Sequence, residues 1–405
     1  MKKTPVHPQP PPENDIASES LLQQIRAMPR PVWVLFAGVF INRFGTFVVP
    51  FLTLYLTDEG YTAWEISAVI ASMAVGGILS TGVSGRLSDL IGRKNTMSIA
   101  LITGGISMLL MWQAESFSGY LITAFLAGAT HQMYHPAASS LMADVVPSAR
   151  RVTAYAIVRW GINLGWACGM AAGGFLAEKN YAYLFIGDAA TSISYALIAM
   201  FLLPQGVRTT VKKSRWAPAI RHMIRNRAFV AFFFANLLAV STFFQWSISV
   251  ARLVTDLGYE KWVYALIMSA NGLLIAIFEI PISQLCRHLN PRRVIAFGYL
   301  FCGIGASMCG LASGWLIVFF AMVVFTLGEM VSMPVSGAYI ADLAPEKMRG
   351  RYNAMTGFTW GVGHGIAPLG LVLYEKNDTL LWLAMLLVGF GSAACLIGPW
   401  SQRIR

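Results

Sequence analysis

The chain has 405 residues, of which 56% are hydrophobic and only 12% charged. A soluble globular protein carries about 25% charged residues, so a soluble enzyme, a nucleic-acid module and a disordered chain are excluded. The formal net charge of +11 would suggest a polyanionic partner in a soluble chain, but here the positions of the charges decide otherwise. Five cysteines (Cys168, Cys286, Cys302, Cys309, Cys395) lie unclustered inside apolar runs, a pattern that supports neither a disulfide framework nor a metal site.

Residues 1–31 are polar and proline-rich, without the apolar stretch of a signal peptide. They read as a disordered tail with one short helix around Leu21–Ala27. Twelve apolar runs follow, at 32–56, 65–85, 96–113, 119–143, 153–176, 182–203, 228–252, 262–285, 294–312, 315–341, 352–374 and 380–400. Each is long enough to cross a ~30 Å hydrocarbon core, which takes about 20 helical residues. Backbone polar groups in oil need internal partners, so helices are expected. The runs do not alternate, which excludes a large barrel.

Placing the N-terminus in the cytoplasm leaves 24 of the 30 Lys and Arg residues in inner segments. The outer loops hold only Lys179, Arg252, Lys261 and Lys376, and Arg43 and Arg159 are embedded. This bias predicts that both termini are cytoplasmic, and it explains the charge without nucleic acid. The longest connection, 204–227, carries seven basic residues and no acid; beside a membrane, such a loop binds anionic headgroups and holds topology.

That loop divides the chain into residues 32–203 and 228–400, with 401–405 as a tail. The halves repeat. Pro136, Asp144, Pro147 and Arg151 near span four are matched by Pro334, Asp342, Pro345 and Arg349 near span ten, at a constant offset that also relates Gly165 to Gly363. Parallel repeats of six helices are a known transporter architecture.

Span two ends in Gly85-Arg-Leu-Ser-Asp89-Leu-Ile-Gly92-Arg93-Lys94. This resembles the signature loop of the major facilitator superfamily, with Leu90 where a basic residue is usual. The resemblance implies a conformational latch formed by Gly85, Asp89, Gly92, Arg93 and Lys94, with Asp89 facing a helix N-terminus of the other half, that of span eleven. A carboxylate gains about 0.3–1 kcal/mol in such a place. Arg93 and Lys94 also serve as topology markers. Asp144 and Asp342, at inner helix ends, are expected to pair with Arg151 and Arg349 or to form gating contacts.

Span five carries Gly161, Gly165, Gly169 and Gly173, every fourth residue, a stripe on which two helices approach closely. It also resembles the superfamily's antiporter motif, with Met170 in place of the proline that the second half keeps as Pro368. About 200° round the same helix lie Arg159 and Asn163, so one face packs and the other lines a polar cavity.

Ionisable residues inside spans cost at least ~2.5–3.5 kcal/mol on insertion scales and are functional candidates. The strongest is Glu329, in Gly328-Glu329-Met-Val-Ser-Met-Pro334, a stretch that resembles span ten of bacterial multidrug:proton antiporters, where a Glu after Gly takes part in proton coupling. Desolvation favours the neutral form of a carboxyl, the property a proton carrier needs; the alternative is a fixed ion pair with Arg43 or Arg159. Glu279 in span eight is a second proton-coupling candidate. Asp188 in span six is a third, or else a structural bond to a neighbouring helix. His131 and His135 share a face of span four and read as cavity lining or proton relay, because a zinc site needs three or four ligands. The expected substrate cavity holds Asn42, Arg43, His131, His135, Arg159, Asn163, Gln245, Trp246, Asn271, Met333, Trp360 and His364, with Met and aromatic surfaces that suit adaptable apolar binding.

The sequence is therefore expected to be an all-α membrane protein with 12 transmembrane helices in two pseudo-symmetric six-helix bundles (major facilitator fold). The resemblance implies secondary active transport by alternating access, and specifically drug:proton antiport of small amphipathic compounds by a monomer. A proton gradient drives it without a cofactor, and no phosphate-binding Gly-x-x-x-x-Gly-Lys-(Ser/Thr) loop is present. A proton-coupled carrier of one sugar, peptide or amino acid remains an alternative, favoured by Arg43, Arg159, Asn42 and Asn163. A non-transporting receptor is a second. No nucleophile–base set of an enzyme stands out.

Overall fold

The computed structural model describes residues 21–147, 150–206, 216–286, 288–345 and 348–398. The first half comprises α1 (Leu21–Arg26), α2 (Arg30–Phe44), α3 (Val48–Asp58), α4 (Ala63–Ile91), α5 (Arg93–Trp112), α6 (Phe117–Val145), α7 (Arg151–Lys179) and α8 (Ala182–Leu202). Within the connection lies α9 (Trp216–Arg225), so that segment is helical in part and not simply a loop. Arg208, Lys212, Lys213 and Arg215 lie outside the described residues. The second half comprises α10 (Arg227–Phe244), α11 (Ser249–Asp256), α12 (Lys261–Cys286), α13 (Pro291–Met308), α14 (Trp315–Leu343), α15 (Arg349–Ile366), α16 (Leu369–Lys376) and α17 (Asp378–Ile397). Among the described residues, nine helices, counting α2–α3 and α10–α11 as one each, are long and apolar enough to cross a membrane. Spans four, five and eleven, richer in glycine and polar side chains, supply α6, α7 and the α15–α16 pair.

Local signals set the helix ends. Thr62 and Glu65 form a capping box at α4, and Ser116, Asn226, Asn290 and Asn377 cap α6, α10, α13 and α17 through their side chains; each satisfies backbone donors that no turn of helix can reach. Gly92 turns the chain from α4 into α5 at φ +91°, a conformation that favours glycine.

The repeat is now visible in the elements. α4, α5, α6 and α7 begin 198 residues before α12, α13, α14 and α15. The same offset superposes Glu329 on His131 and Asn271 on Met73, so corresponding places in the two halves carry different chemistry.

Three spans are broken. The break between α2 and α3 lies at Gly45–Phe47, that between α10 and α11 passes through a short 3₁₀ turn at Gln245–Ser247, and that between α15 and α16 lies beside Pro368. Two of the breaks satisfy one another. Gln245 donates to the Ala367 carbonyl at 2.7 Å and accepts from Ser249 at 2.6 Å. Gln245 and Trp246, expected in the cavity wall, are therefore buried at 2% exposure each: the amide closes a hole in the backbone ladder, and the indole packs on Phe325.

The glycine stripe of α7 packs against α2 and the start of α3. Side chains added at Gly161, Gly165 or Gly169 would collide with Phe36 or with the backbone of Phe40 and Phe44, and one at Gly173 would press on Phe47 and Phe51. α7 also packs along α12, and α4 against α15, which joins the halves.

The halves meet most closely at the face opposite the chain ends. There Lys261 Nζ lies 2.8 Å from Asp58 and 4.4 Å over the Tyr181 ring, Tyr181 donates to Asp58 at 3.0 Å, and the Lys261 N–H donates to Glu178. Tyr264 reaches the Pro50 carbonyl at 3.2 Å, and Ser67 reaches that of Pro368 at 2.7 Å. At the face carrying the chain ends, α6 and α14 form no packed interface, and Gly337, Gly350 and Gly357 face open space. One face is sealed and the other is open.

Two members of the expected latch, Arg93 and Lys94, make their contacts within the first half. Arg93 pairs with Asp144 and donates to the Ser140 carbonyl at 2.5 Å, while Lys94 reaches the Met200 carbonyl at 3.1 Å; all are contacts inside the first half. Asp144 is thus held by Arg93 and not by Arg151, whose guanidinium binds the carbonyls of Val146 and Ala143. The surroundings of Gly85 and the side chain of Asp89 lie outside what is described.

Two outcomes follow. Gly169→Val should lower the melting temperature in detergent, by at least the ~1–3 kcal/mol typical of overpacking, while Gly357→Ala, beside open space, should leave it unchanged or raise it. Removing the pin with Lys261→Met should loosen the sealed face. Such contacts are worth about 1 kcal/mol, roughly a fivefold change in population, read as longer distances between spin labels at Glu115 and Ser313.

Candidate functional site

Glu329 lies in the middle of α14, nearly buried at 9% exposure. Its Oε2 accepts a hydrogen bond of 3.0 Å from the Asn271 side-chain amide, on α12. The same amide donates to Thr326 Oγ1 at 3.0 Å, and that hydroxyl donates on to the Met322 carbonyl at 2.7 Å. The chain of donors is complete and neutral. Asn271, expected to touch substrate, instead holds the acid.

Among the described residues no guanidinium holds Glu329. Arg159 forms a two-pronged pair with Glu279, with Nε donating to one carboxylate oxygen at 3.1 Å and a terminal nitrogen bonding the other. Such planar pairing fixes both partners. Glu279, expected as a second proton carrier, is therefore an ion-pair partner that joins α12 to α7. The Arg159 side chain is 44% exposed, on the open side of the molecule. Arg159 and Glu279 are the charged groups that act on Glu329 through space.

A second polar cluster belongs to the first half. Arg43, on the last turn of α2, lies 3.1 Å from His135 Nε2. His131 sits one turn earlier on α6, its ring 6.1 Å from that of His135. Nearby, Asn42 donates to Ser192 at 3.1 Å, and Ser192 donates to Asp188 at 3.5 Å. The backbone N–H of Val48, at the start of α3, is directed at the same carboxylate. Asn42 and Asp188 are 1% and 2% exposed, so they fasten α8 to the broken first span rather than line an open wall.

The second half contributes an aromatic wall. Phe243 and Phe244 meet Trp360 at 5.3 and 6.1 Å between ring centres, and His364 stacks on Phe244 at 4.2 Å. These rings are half-buried, as are Asn163 and Met333. The arrangement can hold an apolar body against rings in one half, with a buried acid in that half and a cation in the other.

Sequence reasoning missed Asn236, which accepts from Tyr299 at 2.8 Å and donates to Thr359, linking α10, α13 and α15. It also missed Thr326 and the Lys261–Asp58–Tyr181 pin. A search for charged residues inside spans passes over neutral amides and hydroxyls, and one for intramembrane groups passes over helix ends. Asn236 alone in Phe-Phe-Ala-Asn-Leu-Leu was a readable signal.

The sequence profile of the Major Facilitator Superfamily matches residues 35–368. The chain is 24% identical over 366 residues to a Na(+), Li(+), K(+)/H(+) antiporter of Planococcus maritimus, covering 82% of this chain and 86% of that protein. It is 22% identical to the quinolone resistance protein NorA of Staphylococcus aureus, covering 84% and 89%. Among solved structures, a POT family transporter in complex with 5-aminolevulinic acid matches with a TM-score of 0.77 at 15% identity, over 91% of this chain and 95% of that one. A D-xylose–proton symporter matches with 0.72 at 15% identity, over 94% and 98%. With its two repeated halves, broken central spans and profile match over most of its length, the chain belongs to the Major Facilitator Superfamily and is a multi-pass membrane transporter, not an enzyme.

Proposed function

We propose that this transporter is a proton-coupled exporter of small amphipathic compounds, exchanging cargo for protons across a bacterial inner membrane. The observation that carries the reading is the pairing of Glu329: a carboxyl near mid-membrane bonded to the neutral amide of Asn271 and to no cation. A permanently ionised carboxylate at that depth calls for a fixed positive partner. A carboxyl that gains and loses a proton does better with a neutral donor, which tolerates both states. The curated relatives support the exchange reading, since one is named as a cation/H(+) antiporter and another as a quinolone resistance protein.

The excess of Lys and Arg assigns the open face, with both termini, to the cytoplasm. The arrangement is then inward-open, with the Lys261–Asp58–Tyr181 pin on the outside. Basic α9 rests on anionic headgroups, and the chain acts as a monomer. Cargo enters from the cytoplasm while Glu329 is ionised. Protonation of Glu329 from the outside, once cargo has left, favours return to the inward state. The proton does work only because it binds the two states unequally; equal affinity would shift nothing.

In proteoliposomes with an imposed pH gradient, the wild type should drive uphill movement of amphipathic compounds. Glu329→Gln should still bind them but move them no faster than protein-free vesicles. Equal coupled transport by the two proteins rejects the role of Glu329, and uphill transport indifferent to pH rejects proton coupling. A panel that includes sugars and peptides separates export of amphipathic compounds from carriage of one solute.

A further inference from the structure

Among the described residues Arg43 is an embedded cation without a counter-ion. Its nearest side-chain partner is His135 Nε2 at 3.1 Å. A guanidinium only donates hydrogen bonds, so that ring nitrogen is an acceptor and adds no positive charge there, nor does it cancel any. Among the described residues no carboxylate comes within ion-pair distance of Arg43; Asp188, the acid of the same half that feels its charge, lies beyond that distance, with one oxygen 3.5 Å from Ser192 and the other buried without a hydrogen-bond partner. The Arg43 Nε is buried with no partner at all. Arg159, the other embedded arginine, shows the contrast, because its charge is neutralised by Glu279 in two-pronged geometry.

A half-buried guanidinium inside a membrane span with no carboxylate partner is expensive, since leaving a buried charge without its partner typically costs several kcal/mol. A protein tolerates this where a ligand supplies the missing charge. The repeat sharpens the point: the position that holds the acid Glu329 in the second half holds His131 in the first, so the first half offers donors and positive charge while the second offers the acid and the rings.

We propose that Arg43, with His135 and His131 beside it, is the subsite for an anionic group of the cargo, and that the transported compounds are amphipathic organic acids, typified by aromatic carboxylates, whose apolar body lies against Phe243, Phe244 and Trp360. This rests on the central cavity being the cargo site; it does not require Glu329 to carry the proton. The carboxylate meets the free edge of the guanidinium while His135 holds the other edge in place. The rings contribute apolar area without dictating one shape, so the anion fixes orientation and the body is free to vary.

The test compares 2-naphthoate with 2-naphthamide, which share a body and differ in charge, by isothermal titration against the full-length protein in nanodiscs, with protein-free nanodiscs as blank. A charge-assisted hydrogen bond predicts that the wild type prefers the acid by about tenfold or more. Arg43→Gln should lose that preference and bind the two compounds alike. Arg43→Lys, which keeps the charge, should retain a preference for the acid and guards against a folding defect as the cause. Glu329→Gln, which removes a negative charge from the same cavity, should keep or strengthen the preference for the acid while losing coupled transport, so failure of this proposal and failure of proton coupling give different results. Equal affinity for acid and amide in the wild type, no measurable binding of the acid, or an undiminished preference in Arg43→Gln overturns the assignment.

Discussion

A polar group placed in hydrocarbon must find a partner, and almost every departure from plain apolar helix in this molecule answers to that constraint. Where spans seven and eleven break, the freed groups are taken up by one side chain, Gln245, which bonds Ala367 and Ser249. Where span one breaks, Thr46 returns a bond to Asn42, and Asp188 stands before the new helix start at Val48. Irregular backbone at membrane depth is tolerated only when protein or a water-filled cavity receives it. The breaks therefore mark the spans that surround the centre, and they bend the chain where the two halves must separate and meet.

The same constraint gives meaning to the groups that are left incompletely answered. The ion pair of Arg159 with Glu279 is a finished interaction that ties the halves together on the open side. Glu329 has a neutral partner and Arg43 a neutral acceptor, and each leaves room for a charge to arrive. On the reading proposed above, one admits a proton and the other an anion. Their separation into different halves means that movement of the halves changes the distance between the two charges, which lets occupancy at one place bias the other without a direct contact. Chains of packed helices with two discrete arrangements are the physical basis of such coupling.

Much of this was legible in the sequence. Apolar run lengths placed the span ends to within six residues of the helix ends, because the thickness of the bilayer leaves little freedom. The glycine stripe of span five predicted a close helix contact, and Phe36, Phe40 and Phe44 of α2 supply the partner surface. Glu329 and Arg159 stood out because charge is rare in oil. What was not legible was who meets whom across long separations. Glu279 read as a free acid and is held by an arginine 120 residues away. Gln245 and Trp246 read as cavity wall, and Asp144 was assigned to the nearby Arg151 instead of Arg93. Sequence reports residue type and local periodicity, whereas the choice among partners is made by how helices are arranged.

The account turns on a carboxyl that exchanges its proton inside the membrane. Infrared difference spectra of the protein in lipid, recorded across a pH titration, report this directly through the carbonyl stretch of a protonated carboxyl. The account predicts a titrating carboxyl band in the wild type that is missing from Glu329→Gln and present in Glu279→Gln. Identical difference spectra for the wild type and Glu329→Gln would contradict it.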